Sequence, residues 1–205
     1  MEAESNLWTH GHDGATPLRV LTVGHSNHPL DRFLDLLADA DVEVIADVRS
    51  HPYSRFAPQF NREPLKAALT ARGSRYTFLG GELGGRPDGD EFYDADGHVL
   101  YNRVADSAWF GAGIDRLVQG LGSWRVAVMC SEEDPTDCHR RLLVARVLLT
   151  RGVEVNHLRG DGTVQPERLF DREAQGDLFN GFSGESWRST RSVSRKRAHA
   201  SSSVS

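Results

Sequence analysis

Short apolar runs alternate with amphipathic stretches along most of this chain. Residues 19–24 (Arg-Val-Leu-Thr-Val-Gly) form a β-branched run closed by glycine, which predicts a buried strand. Over 29–40, Phe33, Leu34, Leu36 and Leu37 repeat at helical spacing, and Pro29 suits the first turn. Residues 42–48 predict a second strand. Residues 63–72 predict a helix with Pro64 near its start and Gly73 after its end. A third strand is expected over 75–79. A helix follows over 106–120, with Trp109, Phe110, Ile114, Leu117 and Val118 inward, then a fourth strand over 124–129. The most apolar helix spans 138–150 and stops at Gly152, and a fifth strand covers 153–158. Strands that alternate with helices imply right-handed crossovers. The predicted fold class is therefore α/β: a single domain with a mainly parallel sheet of about five strands, helices on both faces, in a Rossmann-like three-layer arrangement.

The remaining segments lack that rhythm. Residues 1–17 predict a flexible leader, and 18–160 the folded domain. Residues 80–104 are glycine-rich and polar, long for a connection without structure of its own, so a lid or binding loop is expected. Residues 161–187 hold Leu169, Phe170, Leu178, Phe179, Phe182 and Trp187, enough to pack an extension onto the domain. Residues 188–205 are rich in serine and arginine, without apolar periodicity, and are expected to be disordered.

Bulk properties narrow the function. The chain has 205 residues, enough for one sizeable core. It has no secretory signal at its start and no apolar stretch of membrane-spanning length. With only two cysteines, a disulfide framework is not expected, and a cytoplasmic location is. Net charge is −5, but residues 188–205 carry five basic residues and no acid, which leaves −10 on the rest. An acidic body excludes broad, sequence-independent duplex binding, while a local basic pocket stays compatible.

The chemistry gathers where predicted strands end. Strand one ends in Gly24-His25-Ser26-Asn27, strand two in Asp47-Val48-Arg49-Ser50, and strand four in Cys130. Parallel strands bring such ends to one edge of the sheet, where α/β proteins build their sites. Both cysteines lie in 130–138. Asp134-Pro135 reads as a helix N-cap and first residue, which would leave Cys138 in the opening turn beside His139 and Arg140. A thiol there is easily ionised and an anion easily held. Arg49 and Arg55 offer forked donors for phosphate or carboxylate, although Arg49 could instead pair with Asp47. His25 could be a base, an orienter or a satisfied buried histidine. Asn61 could cap the helix that follows it. No arginine follows Cys130 at the interval of a phosphate-cradling thiol loop, and no Walker or dinucleotide glycine motif is present. Two cysteines with His25, His28, His51 and His139 could supply metal ligands, but they lack the closely paired cysteines of structural zinc sites. No metal and no cofactor is assigned from the sequence.

Gly24-His25-Ser26-Asn27, Asp47-Val48-Arg49-Ser50-x-Pro52-x-Ser54, Phe60-Asn61, Leu83-Gly84-Gly85 and Cys130-x-Glu132-x-Asp134-Pro135-x-x-Cys138-His139-Arg140 occur in that order. Together they resemble the domain-of-unknown-function 488 family, from about Arg19 to Leu158. The resemblance implies a compact α/β domain with clustered polar motifs and a suspected enzyme, without substrate or reaction.

The expectation is thus a small enzyme with an anion-binding, cysteine-containing pocket for a phosphorylated, nucleotide-like or nucleic-acid substrate. Cys130, Cys138, His139 and His25 are the candidate catalytic residues. Ser26, Asp47, Arg49, Ser54, Arg55, Asn61, Glu132 and Arg140 are the candidate anion or substrate contacts. Two alternatives remain: a non-catalytic nucleotide or nucleic-acid binding module, and a redox pair made of Cys130 and Cys138. A small phosphorylated molecule or a nucleic acid is the expected partner, with no membrane. Oligomeric state is left open.

Overall fold

The computed structural model describes residues 17–167 and 187–191. The leader and most of the predicted extension and tail lie outside the described residues.

Six strands form one sheet in the order β3-β2-β4-β1-β5-β6. They are β1 (Arg19–Gly24), β2 (Val44–Asp47), β3 (Arg75–Phe78), β4 (Val126–Cys130), β5 (Glu154–Leu158) and β6 (Val164–Pro166). The first five are mutually parallel, and β6 runs antiparallel to β5. The predicted mainly parallel three-layer architecture is therefore present, with one more strand than expected. Residues 164–166 include a proline and only three positions, too short for an alternation signal, and the proline sits at a sheet edge as it must.

Two helices cover one face: α1 (Leu30–Asp39) and α2 (Arg62–Ala71). They bury Phe33, Leu36, Leu37, Leu65 and Leu69 against Leu21, Val23, Ile45 and Met129. On the other face, α5 (Ala108–Leu121) and the helix after β4 bury Phe110, Ile114, Leu117, Leu143 and Leu148 against Val20, Ala46 and Val128. The alternation of sides along each strand explains this split, since successive residues point to opposite faces. The helix after β1 and the helix after β4 thus pack on opposite faces of neighbouring strands. That reversal opens a crevice at the carboxyl ends of the strands. The register is level there: Gly24 lies beside Cys130, and Asp47 beside Met129.

The connection 80–104 is more structured than predicted. It holds two short helices, α3 (Gly80–Leu83) and α4 (Tyr101–Ala105), and a bridge between Tyr93 and Val99. Glycines at 80, 81, 84 and 85 hid the first of these from a propensity reading, because glycine disfavours helix. The helix after β4 also departs from expectation. Residues Arg140–Ala145 wind as a π-helix before α6 (Arg146–Thr150), and Arg140, Leu143, Val144 and Ala145 are all buried. Such wide turns recur at functional sites. Asp134 accepts the Thr136 amide at 2.8 Å, and the Cys138 amide bonds to the Pro135 carbonyl. Asp134 and Pro135 therefore form a turn ahead of the helix, and Cys138 ends that turn rather than sitting inside the helix.

At the far end, Trp187 donates from Nε1 to the Leu142 carbonyl, and Ser189 exchanges bonds with Val99. The expectation of disorder from residue 188 onward is corrected at 188–191, where backbone pairing with residues 98–101 holds the chain. Among the described residues, no helix is long and apolar enough to cross a membrane.

Candidate functional site

The carboxyl ends of β2 and β4 frame a cleft of about 490 Å³, a size suited to a small molecule. Cys130, Glu132, Cys138 and His139 are among the residues that line it. Cys130 is the last residue of β4. The loop after it is drawn back over the strand ends, and three features hold it there. Gly24 leaves room for it: a Cβ on Gly24 would sit 1.7 Å from the Glu132 carbonyl oxygen. Arg140, fully buried, donates through Nη1 to the Glu132 carbonyl and through Nη2 to the Glu133 carbonyl at 2.6 Å. Arg159 grips the Glu133 carboxylate with two donors at 2.9 and 2.6 Å. With its neighbours fixed, Glu132 turns its carboxylate toward the sulfurs. Glu132 Oε2 accepts from Cys130 Sγ at 3.0 Å and lies 3.2 Å from Cys138 Sγ.

His139 completes the cluster. Its Nε2 donates to the Val48 carbonyl at 3.0 Å, which fixes the ring. Its Nδ1 then faces Cys130 Sγ at 3.6 Å and Cys138 Sγ at 4.0 Å. Gly85 packs flat against the imidazole, where a Cβ would stand 2.6 Å from Cγ. One ligand-type atom from each of Cys130, Cys138 and His139 lies within 4.8 Å of the others.

The electrostatics follow from this crowding. The hydrogen bond with Cys138, then burial and the charge of Glu132, push the Cys130 thiol well above the ordinary thiol range. Burial acts the same way on Cys138, but the Cys130 and His139 hydrogen bonds and the charges of His139 and Arg140 outweigh it and lower that thiol. Burial opposes ionisation of Glu132 too, yet the Cys130 and Cys138 bonds and the charge of His139 hold it down at about 2. Burial disfavours a charged His139, and the Cys138 contact, the Glu132 charge and the Val48 bond raise it on balance.

Of the other candidates, Arg49 also lines the cleft. Arg49 does pair with Asp47, at 2.9 Å through Nε and 2.6 Å through Nη2, and it also donates to the Phe60 carbonyl. Its Nη1 donates to His25 Nε2 at 3.0 Å, while His25 Nδ1 donates to the Ser26 carbonyl. His25 is stacked on Phe60 with centroids 4.4 Å apart. Burial and the Arg49 charge lower its pKa to about 4, so it is a neutral acceptor behind the cleft wall. Both ring nitrogens of His25 are engaged within the protein, and the residue does not line the cleft. Asp47 is fully buried and also accepts from Tyr76 Oη at 2.7 Å. Arg140 is fully buried, directs all three of its nitrogens to loop carbonyls and Thr22, and does not line the cleft. Asn61 stands at the N-cap of α2 by backbone, but its Oδ1 accepts the Ser54 amide at 2.6 Å instead of capping. Ser54 Oγ accepts the Phe56 amide, and Arg55 lies over the Phe56 ring at 4.6 Å. Ser26 bonds to Asn27 and takes a positive φ of 46°. Ser26, Ser54, Arg55 and Asn61 do not line the cleft. Glu132 faces the thiols, so its carboxylate belongs to the sulfur and imidazole cluster.

Residues outside the expected set also line the cleft: Tyr53, Arg86, Asp137 and Arg191 are exposed at its rim, and Tyr101 is buried. Arg86 follows Gly84-Gly85, so the glycine run that packs on His139 also carries a cation to the rim. That run was visible in the sequence, but its target was not.

A profile of the family described as "Domain of unknown function DUF488" matches residues 29–147, more than half of the chain. The chain belongs to the DUF488 family. The matched interval contains the Asp47–Ser50 and Cys130–Arg140 motifs, while Gly24 and His25 precede it. No curated protein and no solved structure matches this DUF488 member.

Proposed function

We propose that this DUF488 protein is a small enzyme that transforms a small anionic, nucleotide-like substrate in the cleft, with Cys130, Glu132, Cys138 and His139 as its reaction centre. The observation that carries this reading is the convergence of two sulfurs, an imidazole nitrogen and a carboxylate on the floor of an open cleft. Ordinary core cysteines sit among aliphatic side chains and have no such company. Arg86 and Arg191 at the rim give the substrate's negative group its partners, and Tyr53 offers a ring for a planar moiety. Tyr53 is 64% exposed, which a side chain used only for packing would not be.

The test is a thermal-shift screen of phosphorylated metabolites and nucleotides on the full chain. A ligand at a hundred times its Kd adds about 2.7 kcal/mol, a shift of several degrees. The reading expects at least one such ligand. It also expects its effect to shrink in Arg86→Gln and Arg191→Gln, and its turnover to vanish in Cys138→Ser while binding persists. Absence of any stabilising phosphorylated compound, or turnover that survives in both Cys130→Ser and Cys138→Ser, overturns it.

The adjacency of the two thiols also favours a redox pair as a second reading. A disulfide requires Cα atoms within about 7 Å. Mass spectrometry after mild oxidation would show loss of two hydrogen atoms from the intact chain, the two electrons passing to the added oxidant. Retention of both free thiols under those conditions removes this reading.

A further inference from the structure

We infer that Cys130, Cys138 and His139, with Glu132, form a binding site for one divalent metal ion of the zinc class. The inference goes beyond the enzyme reading and shares only its location.

The first argument is geometric. For tetrahedral zinc with Zn–S about 2.3 Å and Zn–N about 2.0–2.1 Å, the sulfur-to-nitrogen edge is roughly 3.5–3.6 Å. The two such edges here are 3.6 Å, from Cys130, and 4.0 Å, from Cys138. A sulfur-to-oxygen edge is about 3.5 Å with a carboxylate ligand. Glu132 Oε2 stands 3.0 and 3.2 Å from the two sulfurs, a few tenths inside that value, so the carboxylate would draw back by that small distance to share an ion with them. All three sulfur and nitrogen donors lie within 4.8 Å of one another.

The second argument is independent of those distances. A histidine ligand nearly always donates its other ring N–H to a carbonyl or carboxylate, which fixes the tautomer and points the free nitrogen at the metal. His139 does this: Nε2–H goes to the Val48 carbonyl, and Nδ1 is aimed between the two sulfurs. The ring is held from its face by Gly85. The support extends outward to Glu132, whose carbonyl is gripped by Arg140. A cluster that merely filled space would need none of these restraints.

The third argument concerns which ion. Two thiolates, one imidazole and one carboxylate suit zinc and its neighbours, whereas magnesium and calcium take oxygen donors alone. The ligands come from a strand end, a loop and the residue before a helix, so the sequence lacks the close cysteine pair of a structural zinc finger. Three firm ligands plus an exposed carboxylate facing an open cleft match the pattern of a catalytic site, which keeps one position exchangeable. Of the histidines weighed from the sequence, only His139 reaches the sulfurs: His25 is taken up by Arg49 and Ser26.

The experiment uses the full chain, stripped with a chelator under reducing conditions and titrated with cobalt(II), then zinc(II). The expected result is one equivalent of cobalt with a thiolate-to-cobalt charge-transfer band and the visible bands of a tetrahedral site, bleached by one equivalent of zinc. Cys130→Ser, Cys138→Ser and His139→Asn should each weaken zinc by more than about 100-fold, beyond the 10–100-fold typical of outer-shell changes. Glu132→Gln should keep the charge-transfer band and shift only the visible bands. Far-ultraviolet circular dichroism and melting of each variant separate lost ligation from lost fold. Should a variant unfold, zinc protection of the wild-type thiols from alkylation gives the same answer without it. No charge-transfer band in the wild type, or an equal band in Cys130→Ser and Cys138→Ser, overturns the inference. If cobalt fails while a phosphorylated ligand still stabilises the chain, the metal site falls and the enzyme reading stands. If cobalt binds but no such ligand does, the reverse holds.

Discussion

At the scale of single residues, the cleft depends on side chains that never touch a ligand. His25 is the clearest. Its folded pKa of about 4 lies below its ordinary 6.5, because burial and Arg49 disfavour the charged ring. A depressed histidine pKa means that the unfolded chain takes the proton first. The stability it supports is whole above pH 6.5 and erodes as pH falls toward 4, where the loss levels off at up to about 3 kcal/mol. Denaturant midpoints of wild type and His25→Gln at pH 7.5, 5.5 and 4.5 should therefore converge as the buffer is acidified. A constant gap would show that His25 does not titrate in this window. Gly85 is the second case. Gly85→Ala brings a methyl into the His139 ring, and the expected result is a 10–100-fold loss of zinc affinity, with a change in stability below about 2 kcal/mol. Equal affinity would mean that the ring is placed by Val48 alone. These roles could not be read from composition. Asp47, Arg49 and His25 were singled out correctly as strand-end residues, but which of them pair with one another depends on register and rotamer, which only coordinates supply.

At the scale of elements, the loop from Ser131 to Asp137 is the part that the fold must hold, and Arg140 in the π-helix holds it. The sequence shows a cysteine, a histidine and arginines in one run, and a charged residue beside a suspected anion site invites an anion-binding reading. Burial decides otherwise: Arg140 is fully enclosed and reaches back eight residues to the Glu132 carbonyl. The same arginine donates to Thr22, whose hydroxyl meets His157 Nδ1 at 2.6 Å, and His157 in turn contacts Glu167. Strands β1 and β5 and the residue that follows β6 are thereby tied to the loop. Lysine cannot span two carbonyls as a guanidinium does. Arg140→Lys is expected to cost about 2–4 kcal/mol in urea unfolding and to disorder the loop, because two loop carbonyls lose a donor and a charge is left in a fully enclosed position. A loss under 1 kcal/mol would show that the loop holds itself.

At the scale of the whole molecule, the legible part was the architecture and the meeting of strand ends. Period and punctuation announced five strands and their helices, and parallel strands force Gly24, Asp47 and Cys130 to one edge whatever the loops do. What escaped was everything closed by distant backbone. Residues 188–191 looked like the start of a disordered tail because serine and arginine carry no periodic signal, yet they pair with residues 98–100 and bring Arg191 to the cleft, while Trp187 packs as the extension was expected to. Trp187, 8% exposed, anchors that segment under Arg146. Trp187→Ala is expected to cost about 3–5 kcal/mol and to weaken any ligand that relies on Arg191. A wild-type melting temperature in that variant would show the segment to be dispensable.

The wall contributed by residues 187–191 has a further consequence for how the protein matures. Among the described residues, the sheet and the sulfur cluster draw on positions up to 167, whereas the cleft's last side arrives from a stretch translated later. A polypeptide interrupted between 167 and 187 should acquire its sheet and bind cobalt, yet hold substrate-sized anions poorly. Such a fragment would separate the moment at which this protein gains its shape from the moment at which it becomes competent.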